Sequence, residues 1–433
     1  MLKSFLLSSL LLASFAFCTD DEFGDGFGDE TQAIVIKNIA KKNYYFVGNV
    51  EQLGSYATHN QNPHNDLNSL VMSVYLEYEQ SFTKNHKLRV SSNAFYNFIY
   101  DLNRDRDYSQ QEKNDLKYEA EIFDLYLQGK ISPTLDYKIG RQVVIWGRSD
   151  TIRVTDVLNP LDNRTPGIVD IEDLRLSVGM AKFDYYFGDW NANFIVVGET
   201  RYSKNPVYGG DFYPFSFPSP SKKIENKPSL ALSLNGTFSG WDLSLYAVKT
   251  TSDAGHVEVL ANQATLVHED LNMLGFAFNY LHDSWLLKSE AAYFDGYKFS
   301  STGNKTFKKL DALVGLEYNG FSETGMALEL ANRHMFNYDD ALKLQPLEVL
   351  EDTTQYAFRA NSDFLNATLK ANFLISLFGK EMNQGGFSRL WFEYAINDNF
   401  NATLGYVDYL KGSNLFDVID DNDMFFASLK YSF

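Results

Sequence analysis

Cysteine is nearly absent: the 433 residues contain only Cys18. The chain therefore cannot form an internal disulfide, and a thiolate metal centre is excluded. Beyond residue 18 no run of about 20 apolar residues occurs, so no helix would cross a membrane. Proline is scarce, at 10 residues. Basic residues are outnumbered: 38 Lys and Arg against 56 Asp and Glu leave a net charge of -18. Nucleic acid needs clustered cations, so DNA and RNA are excluded as partners. No Gly-x-Ser-x-Gly sequence is present. The seven histidines, His59, His64, His86, His256, His268, His282 and His334, fall mostly in expected loops and turns. None lies beside a serine on a recognisable strand, so no nucleophile and base are paired. No catalytic residue, cofactor or metal site is expected. The spacing of His59 and His64 allows chelation, but a lone loop pair is ordinarily solvated.

What is present begins with a leader. Lys3 supplies a positive start, residues 5–17 are apolar apart from serines, and Ser14-Phe15-Ala16 offers small residues for cleavage. Residues 1–18 thus read as a secretory signal peptide. Cys18 follows Phe17, whereas lipid attachment wants a small residue there. Residues 19–42 read as an acidic, Gly-rich periplasmic tail. Its carboxylates lack the spacing of a calcium loop.

Aromatic residues make up 15% of the chain, with 35 Phe and 27 Tyr. That exceeds what a soluble core needs and suits the interfacial girdles of a membrane barrel. Mean hydropathy is -0.28, a value that an alternating barrel also produces. Strict alternation is visible. Leu70, Met72, Val74, Leu76 and Tyr78 oppose Val71, Ser73, Tyr75, Glu77 and Glu79. Leu230, Leu232 and Leu234 oppose Ser229, Ser233 and Asn235. Period 2 puts one face in an apolar medium and the other in water. The runs last about 10 to 15 residues, enough for a tilted strand to cross a bilayer.

Connections alternate between short and long. Short turns are expected at residues 83–85, 132–133, 188–189, 239–240, 283–284, 319–320, 361–363 and 397–398. Long loops separate them. The expectation is all-β: a transmembrane antiparallel β-barrel over residues 43–433, with about 18 strands and 16 as the alternative. The weak link is the pair around residues 356–377, which would also read as one long strand. The chain ends on alternating Phe425, Ala427, Leu429, Tyr431 and Phe433. A terminal Phe on a last strand resembles the assembly signal of bacterial outer-membrane proteins. It implies the barrel-assembly machinery as a partner through Phe433, with outer-membrane lipid around the wall.

One stretch departs from plain wall. Gly140-Arg141-Gln142-Val143-Val144-Ile145-Trp146-Gly147-Arg148 leads from the fifth strand into the third long loop. The loop is dense in charge: Arg148, Asp150, Arg153, Asp156, Asp162, Arg164, Asp170, Glu172 and Asp173, with Arg175 just beyond. Residues 159–163 read as a turn, with room for a helical turn before it. Between the charges stand Ile152, Val154, Val157, Leu158, Ile168, Val169 and Ile171. A loop lying wholly in water would not need them, so packing against the inner wall is expected, with an ordered external cap whose ion pairs hold only its own shape as the alternative. Opposed charges across a pore would screen solutes by size and charge. Arg141 joins this expected constriction set, with an anchoring role at the loop base as its alternative, shared by Trp146. Alternation from Leu135 would send Arg141 into lipid, a cost of roughly 2–4 kcal/mol at the midplane. A bulge at Gly140 is expected to prevent that. A second unusual loop, residues 205–227, carries four prolines among five Tyr and Phe residues. It reads as a rigid cover packed on neighbouring loops, with a hydrophobic lid as the alternative.

The Gly-Arg-Gln-x-x-x-Trp-Gly strand, followed by Asp156, Asn159, Pro160 and Asp162, resembles a poorly characterised family of porin-like proteobacterial outer-membrane proteins. That resemblance covers about 35 residues. It implies a barrel associated with inner-membrane exporters of the resistance-nodulation-division type, and it carries no catalytic residue. The expected function is a passive, non-enzymatic outer-membrane channel for small solutes. The alternatives are a conduit for hydrophobic compounds and a non-conducting structural or adhesive barrel. A homotrimer and a monomer both stay open.

Overall fold

A computed structural model describes residues 43–433 apart from 59–66, 104–106, 172 and 261–262. The leader, Cys18, the acidic tail, His59, His64 and Glu172 lie outside the described residues.

Alternation turns the chain inside out. In the Ser229–Phe238 strand, Leu230 and Leu232 are 48% and 54% exposed, while Ser229 and Ser233 are 7% and 5% exposed. The apolar face points outward and the polar face inward, the reverse of a soluble sandwich. Eighteen strands share this pattern and pair antiparallel in chain order. The first, Tyr44–Ala57, pairs with Leu67–Thr83 on one side and with the last, Met424–Ser432, on the other. The ring is closed, and no wall strand is left as a free edge of the whole sheet. Phe433 is tied in by two backbone hydrogen bonds of 2.9 Å with Gly48.

Aromatic rings gather beside the short turns. Trp190, Phe238 and Trp241 stand in sequence at 5.4 and 4.1 Å between centroids, and Trp285 meets Tyr318 at 4.4 Å. Phe400, Tyr431 and Phe433 continue the belt.

Two turns lie further along the chain than expected. Asn319-Gly320 forms a bulge within Phe307–Phe321, and the turn follows at residues 322–323. Packing of Phe321 on Tyr318, 5.0 Å between centroids, carries the strand past the Asn-Gly pair. The second moves from 361–363 to 365–368, where Leu365, Asn366 and Ala367 all take positive φ. The doubtful region resolves into two strands, Asp352–Phe364 and Leu369–Phe378, paired from Gln355 with Phe378 to Phe364 with Leu369.

The long loops hold short structure that alternation could not reveal. A helix at Gln110–Leu116 is opened by a capping box in which Ser109 and Glu112 satisfy each other's backbone amides. A small sheet joins Ser221–Lys222, His256–Leu260 and Gln263–Val267. The wall itself is uneven. Tyr118–Ser132 has 15 residues, but its neighbour Leu135–Gln142 has 8, and Trp190–Val197 also has 8.

Candidate functional site

The fifth strand ends at Gln142, and the chain then leaves the wall. Its neck is built by the motif residues. Gln142 is fully buried and donates from Nε2 to the carbonyls of Lys138 and Met180 at 3.1 and 3.3 Å. Asn159 is also buried and clasps both ends of the loop. Its Oδ1 accepts from the Val144 amide at 2.9 Å, and its Nδ2 donates to the Leu176 carbonyl at 2.8 Å. That clasp holds the segment before Pro160 open, and the described residues of the loop contain no helical turn. Trp146 stacks on Tyr246, 4.6 Å between centroids.

Gly147 follows with φ +91°, and a Cβ there would stand 2.8 Å from both Glu290 carboxylate oxygens. Only glycine lets the backbone approach that close. The Glu290 carboxylate then accepts from the amides of Arg148 and Ser149, from the Thr155 amide at 3.3 Å and from the Thr155 hydroxyl at 2.8 Å. Glu329 accepts from the Ser149 hydroxyl at 2.7 Å and the Asp150 amide at 3.2 Å. Lys288 meets Asp150 at 2.6 Å. Gly147→Val is expected to displace the loop base and lower thermal stability, by strain at positive φ and by the clash with Glu290. A melting midpoint equal to wild type would contradict that placement.

Residues 148–158 thus lie against the strands Trp285–Tyr297 and Thr324–Phe336. Ile152, Val154 and Leu158 are buried in one cluster with inward wall residues such as Met180, Ile195 and Met273. The distal half continues across. Asp170 pairs with Arg389 on Gly386–Ala395 and with Arg359 on Asp352–Phe364. The carbonyls of Pro166 and Ile168 accept from Tyr409 and Arg389. The Arg359 strand stands nine places from the fifth strand in the ring of eighteen, half-way round. The loop spans the lumen from wall to wall.

A polar cavity lies on each side of this bridge. Toward the short turns, about 450 Å³ is lined by Lys138, Lys182, Asn193, Asn235, Ser244 and Tyr246. Toward the long loops, about 310 Å³ is lined by residues including Arg153, Asp156, Lys309, Asp311 and Arg333.

The remaining expected residues sort by partner. Arg148 donates to Ser244 at 3.0 Å and stands 3.6 Å from Asp242. Asp156 is buried between Arg175 at 2.8 Å and Arg153 at 3.3 Å. Burial lowers the Arg153 guanidinium from its ordinary value and Asp156 opposes the shift. Arg164 is held by Asp162 at 2.5 Å and Glu119 at 2.8 Å. The Asp173 amide donates to the Asp170 carbonyl at 3.0 Å.

Arg141 is not with them. It pairs across the sheet with Leu125, which is 44% exposed and faces outward, and directly paired residues share a face. Pairing runs through Gly140 without a shift, so the expected bulge is absent. Gly140 has φ +130°, and a Cβ would collide with the Leu125 carbonyl. Glycine keeps the alternation intact there instead of breaking it. Arg141 is tolerated on the outer face because it sits at the strand's end and pairs with Glu199. Residues 205–227 pack on other loops: Phe212 is buried with Ile419 and Tyr409, and Ser109 donates to the Tyr208 carbonyl at 2.8 Å.

Sequence reasoning missed the wall partners Glu290, Glu329, Lys288, Arg359 and Arg389. The available signal was a charged residue at an inward position of an alternating strand. It marks a lumen group but not what it binds. A cluster of His256, Glu258 and Glu269 also has metal-ligating groups close together, but Lys298 already holds Glu269 at 2.8 Å.

The closed eighteen-strand antiparallel barrel with inward polar and outward apolar faces is a porin-like fold. The chain belongs to a family described as of unknown function, DUF1302, whose profile matches residues 39–433. Among solved structures it is similar to OccAB3 of Acinetobacter baumannii, at 12% identity and TM-score 0.53, over 90% of this chain and 99% of that one. It is also similar to OccK8 (OprE) of Pseudomonas aeruginosa, at 10% identity and TM-score 0.51, over 90% and 98%. No curated protein sequence matches it.

Proposed function

We infer that the chain is an outer-membrane channel for passive diffusion of small solutes, narrowed by the loop of residues 143–177. The observation that carries this reading is the bridge from the fifth strand to the opposite wall, with a polar cavity on each side. Barrels of this strand number have room for a water-filled lumen. The loop is held by carboxylates and guanidinium groups, and rings of charge near a narrow point select ions. Arg148, Asp150, Arg153, Asp156, Asp162, Arg164, Asp170 and Asp173 set the field, together with Lys288, Arg359 and Arg389. The work asked of them is steering and screening, so no catalytic residue is required.

Asp150 is the best probe of that field. Its side chain is half exposed while its partner Lys288 is buried. Asp150→Asn is expected to shift the reversal potential in a salt gradient toward anions, since the lysine stays. A reversal potential identical to wild type would remove Asp150 from the ion path. The outward Phe425, Leu429, Tyr431 and Phe433 support recognition of the last strand by barrel-assembly machinery. Deleting Phe433 is expected to lower the yield of folded barrel in the outer membrane, read by gel mobility before and after heating.

A second reading, passage of hydrophobic compounds, is favoured by one observation. A cavity of about 340 Å³ behind the third strand is lined largely by apolar side chains, among them Leu53, Phe95, Ile99, Val207 and Phe212.

A further inference from the structure

The barrel wall has a step, and the step is not closed by a β-ladder. On one side, Tyr118–Ser132 pairs with the third strand up to Tyr118. On the other, its pairing with Leu135–Gln142 stops at Leu125. Residues 118–124 therefore have no sheet partner on that second edge, while on the first 118–122 are paired and 123–124 bulge opposite Ser91. Among the described residues, no backbone-to-backbone hydrogen bond joins that second edge to anything else. The unpaired stretch is roughly 24 Å long at 3.4 Å per residue.

Side chains close the gap instead. The Arg141 guanidinium donates to the Ile122 carbonyl at 3.0 Å, and the Ser177 hydroxyl donates to the Phe123 carbonyl. Behind them lies a cluster of charge. Glu119 and Glu121 pair across the sheet with Phe95 and Asn93, which places them on the lumen face. Glu119 meets Arg164 at 2.8 Å and also Lys204. Glu121 meets Arg201 at 2.6 Å and Lys204 at 3.1 Å. Arg164 belongs to the third long loop, and Arg201 and Lys204 to the fourth. In front, Tyr118 and Ile122 are 62% and 49% exposed on the outer face. Immediately inside is the apolar cavity, and Asp162 and Arg164 form part of its lining.

Height places the seam against lipid. An eight-residue strand tilted by about 45° rises about 19 Å, less than the apolar band of about 25 Å. The ladder ends before the membrane does.

We propose that this seam is a lateral portal through which small apolar molecules pass between the outer leaflet and the apolar cavity, with Glu119 and Glu121 as its ionic latch. This rests on the reading of the chain as an outer-membrane barrel but not on conduction through the eyelet. Parting the seam breaks side-chain contacts only, whereas parting any fully paired strands would break a backbone ladder. The aliphatic and aromatic lip outside and the apolar cavity inside flank the latch, so an apolar solute meets charge only at the latch itself. The latch residues turn inward, so the lipid side presents no bare charge apart from the paired Arg141.

The test is a staple. In a chain with Cys18→Ser, Glu119→Cys and Lys204→Cys are joined after folding by a short bismaleimide. Entry of the apolar dye N-phenylnaphthylamine into cells making the protein is measured beside single-channel conductance of the purified form. The expected result is that stapling reduces dye entry to that of cells lacking the protein and leaves conductance unchanged. A Glu119→Gln, Glu121→Gln chain, still latched by neither charge, is expected to raise dye entry several-fold. Dye entry that is unaffected by the staple, or no greater than in cells without the protein, overturns the portal. So does a staple that lowers conductance and dye entry together, because the dye then uses the eyelet. Silent bilayers with staple-sensitive dye entry would sink the channel reading and keep the portal.

Discussion

Glu290→Ala is expected to raise single-channel conductance several-fold and to make the open current noisy. The Glu290 carboxylate takes four donors from the loop: three backbone amides and the Thr155 hydroxyl. Hydrogen bonds to a charged group contribute about 1.5–3 kcal/mol each. Their loss frees the proximal half of the bridge from the wall and leaves its amides seeking water. Glu290→Gln should behave almost as badly, since one amide oxygen remains and the new NH₂ faces donors. The barrel ladder does not involve this side chain, so the variant should still fold, as judged by heat-modified gel mobility. A folded Glu290→Ala protein with wild-type conductance would show that the loop does not limit flow.

The distal anchor predicts a loss of stability instead. Arg389 is 3% exposed, and Asp170 is its ion partner. Asp170→Ala leaves a buried cation held only by the Gly167 and Ile168 carbonyls and the face of Trp391, and breaking such a pair costs about 3–5 kcal/mol. The melting midpoint should fall substantially. Replacing both partners, Asp170→Ala with Arg389→Leu, should recover much of the loss, because the buried charge is then gone and leucine can pack beside Val407 and Trp391. A double variant no more stable than Asp170→Ala would contradict the assignment of the loss to an unpaired charge. Conductance should also rise in Asp170→Ala, by release of the far end of the loop.

The wall was legible because it obeys a one-dimensional rule. Each strand must alternate, and alternation survives without knowledge of any partner. Leu230 against Ser229 needs no third dimension. The loop neck was half legible: Gln142, Trp146, Gly147 and Asn159 stood out as unusual, and the structure gives each a contact. What they touch was not legible. The partners lie far off in sequence, 142 residues from Arg148 to Glu290 and 219 from Asp170 to Arg389. No local pattern encodes such pairings. Arg141 was misplaced for a related reason. Read along the chain alone, its charge is incompatible with the outer face, yet Glu199 arrives from the next loop to balance it. The turn expected at 319–320 fails because Asn and Gly serve bulges as readily as turns, and the one at 361–363 because Asn361, Ser362 and Asp363 stay paired in the ladder up to Phe364.

A wet passage through a closed wall carries ions across a planar bilayer. The purified wild-type chain, with its β-spectrum intact in detergent, is added to one side under voltage. Discrete, ohmic current steps of uniform size are expected. Folded protein that inserts into the bilayer and carries no ionic current would contradict it.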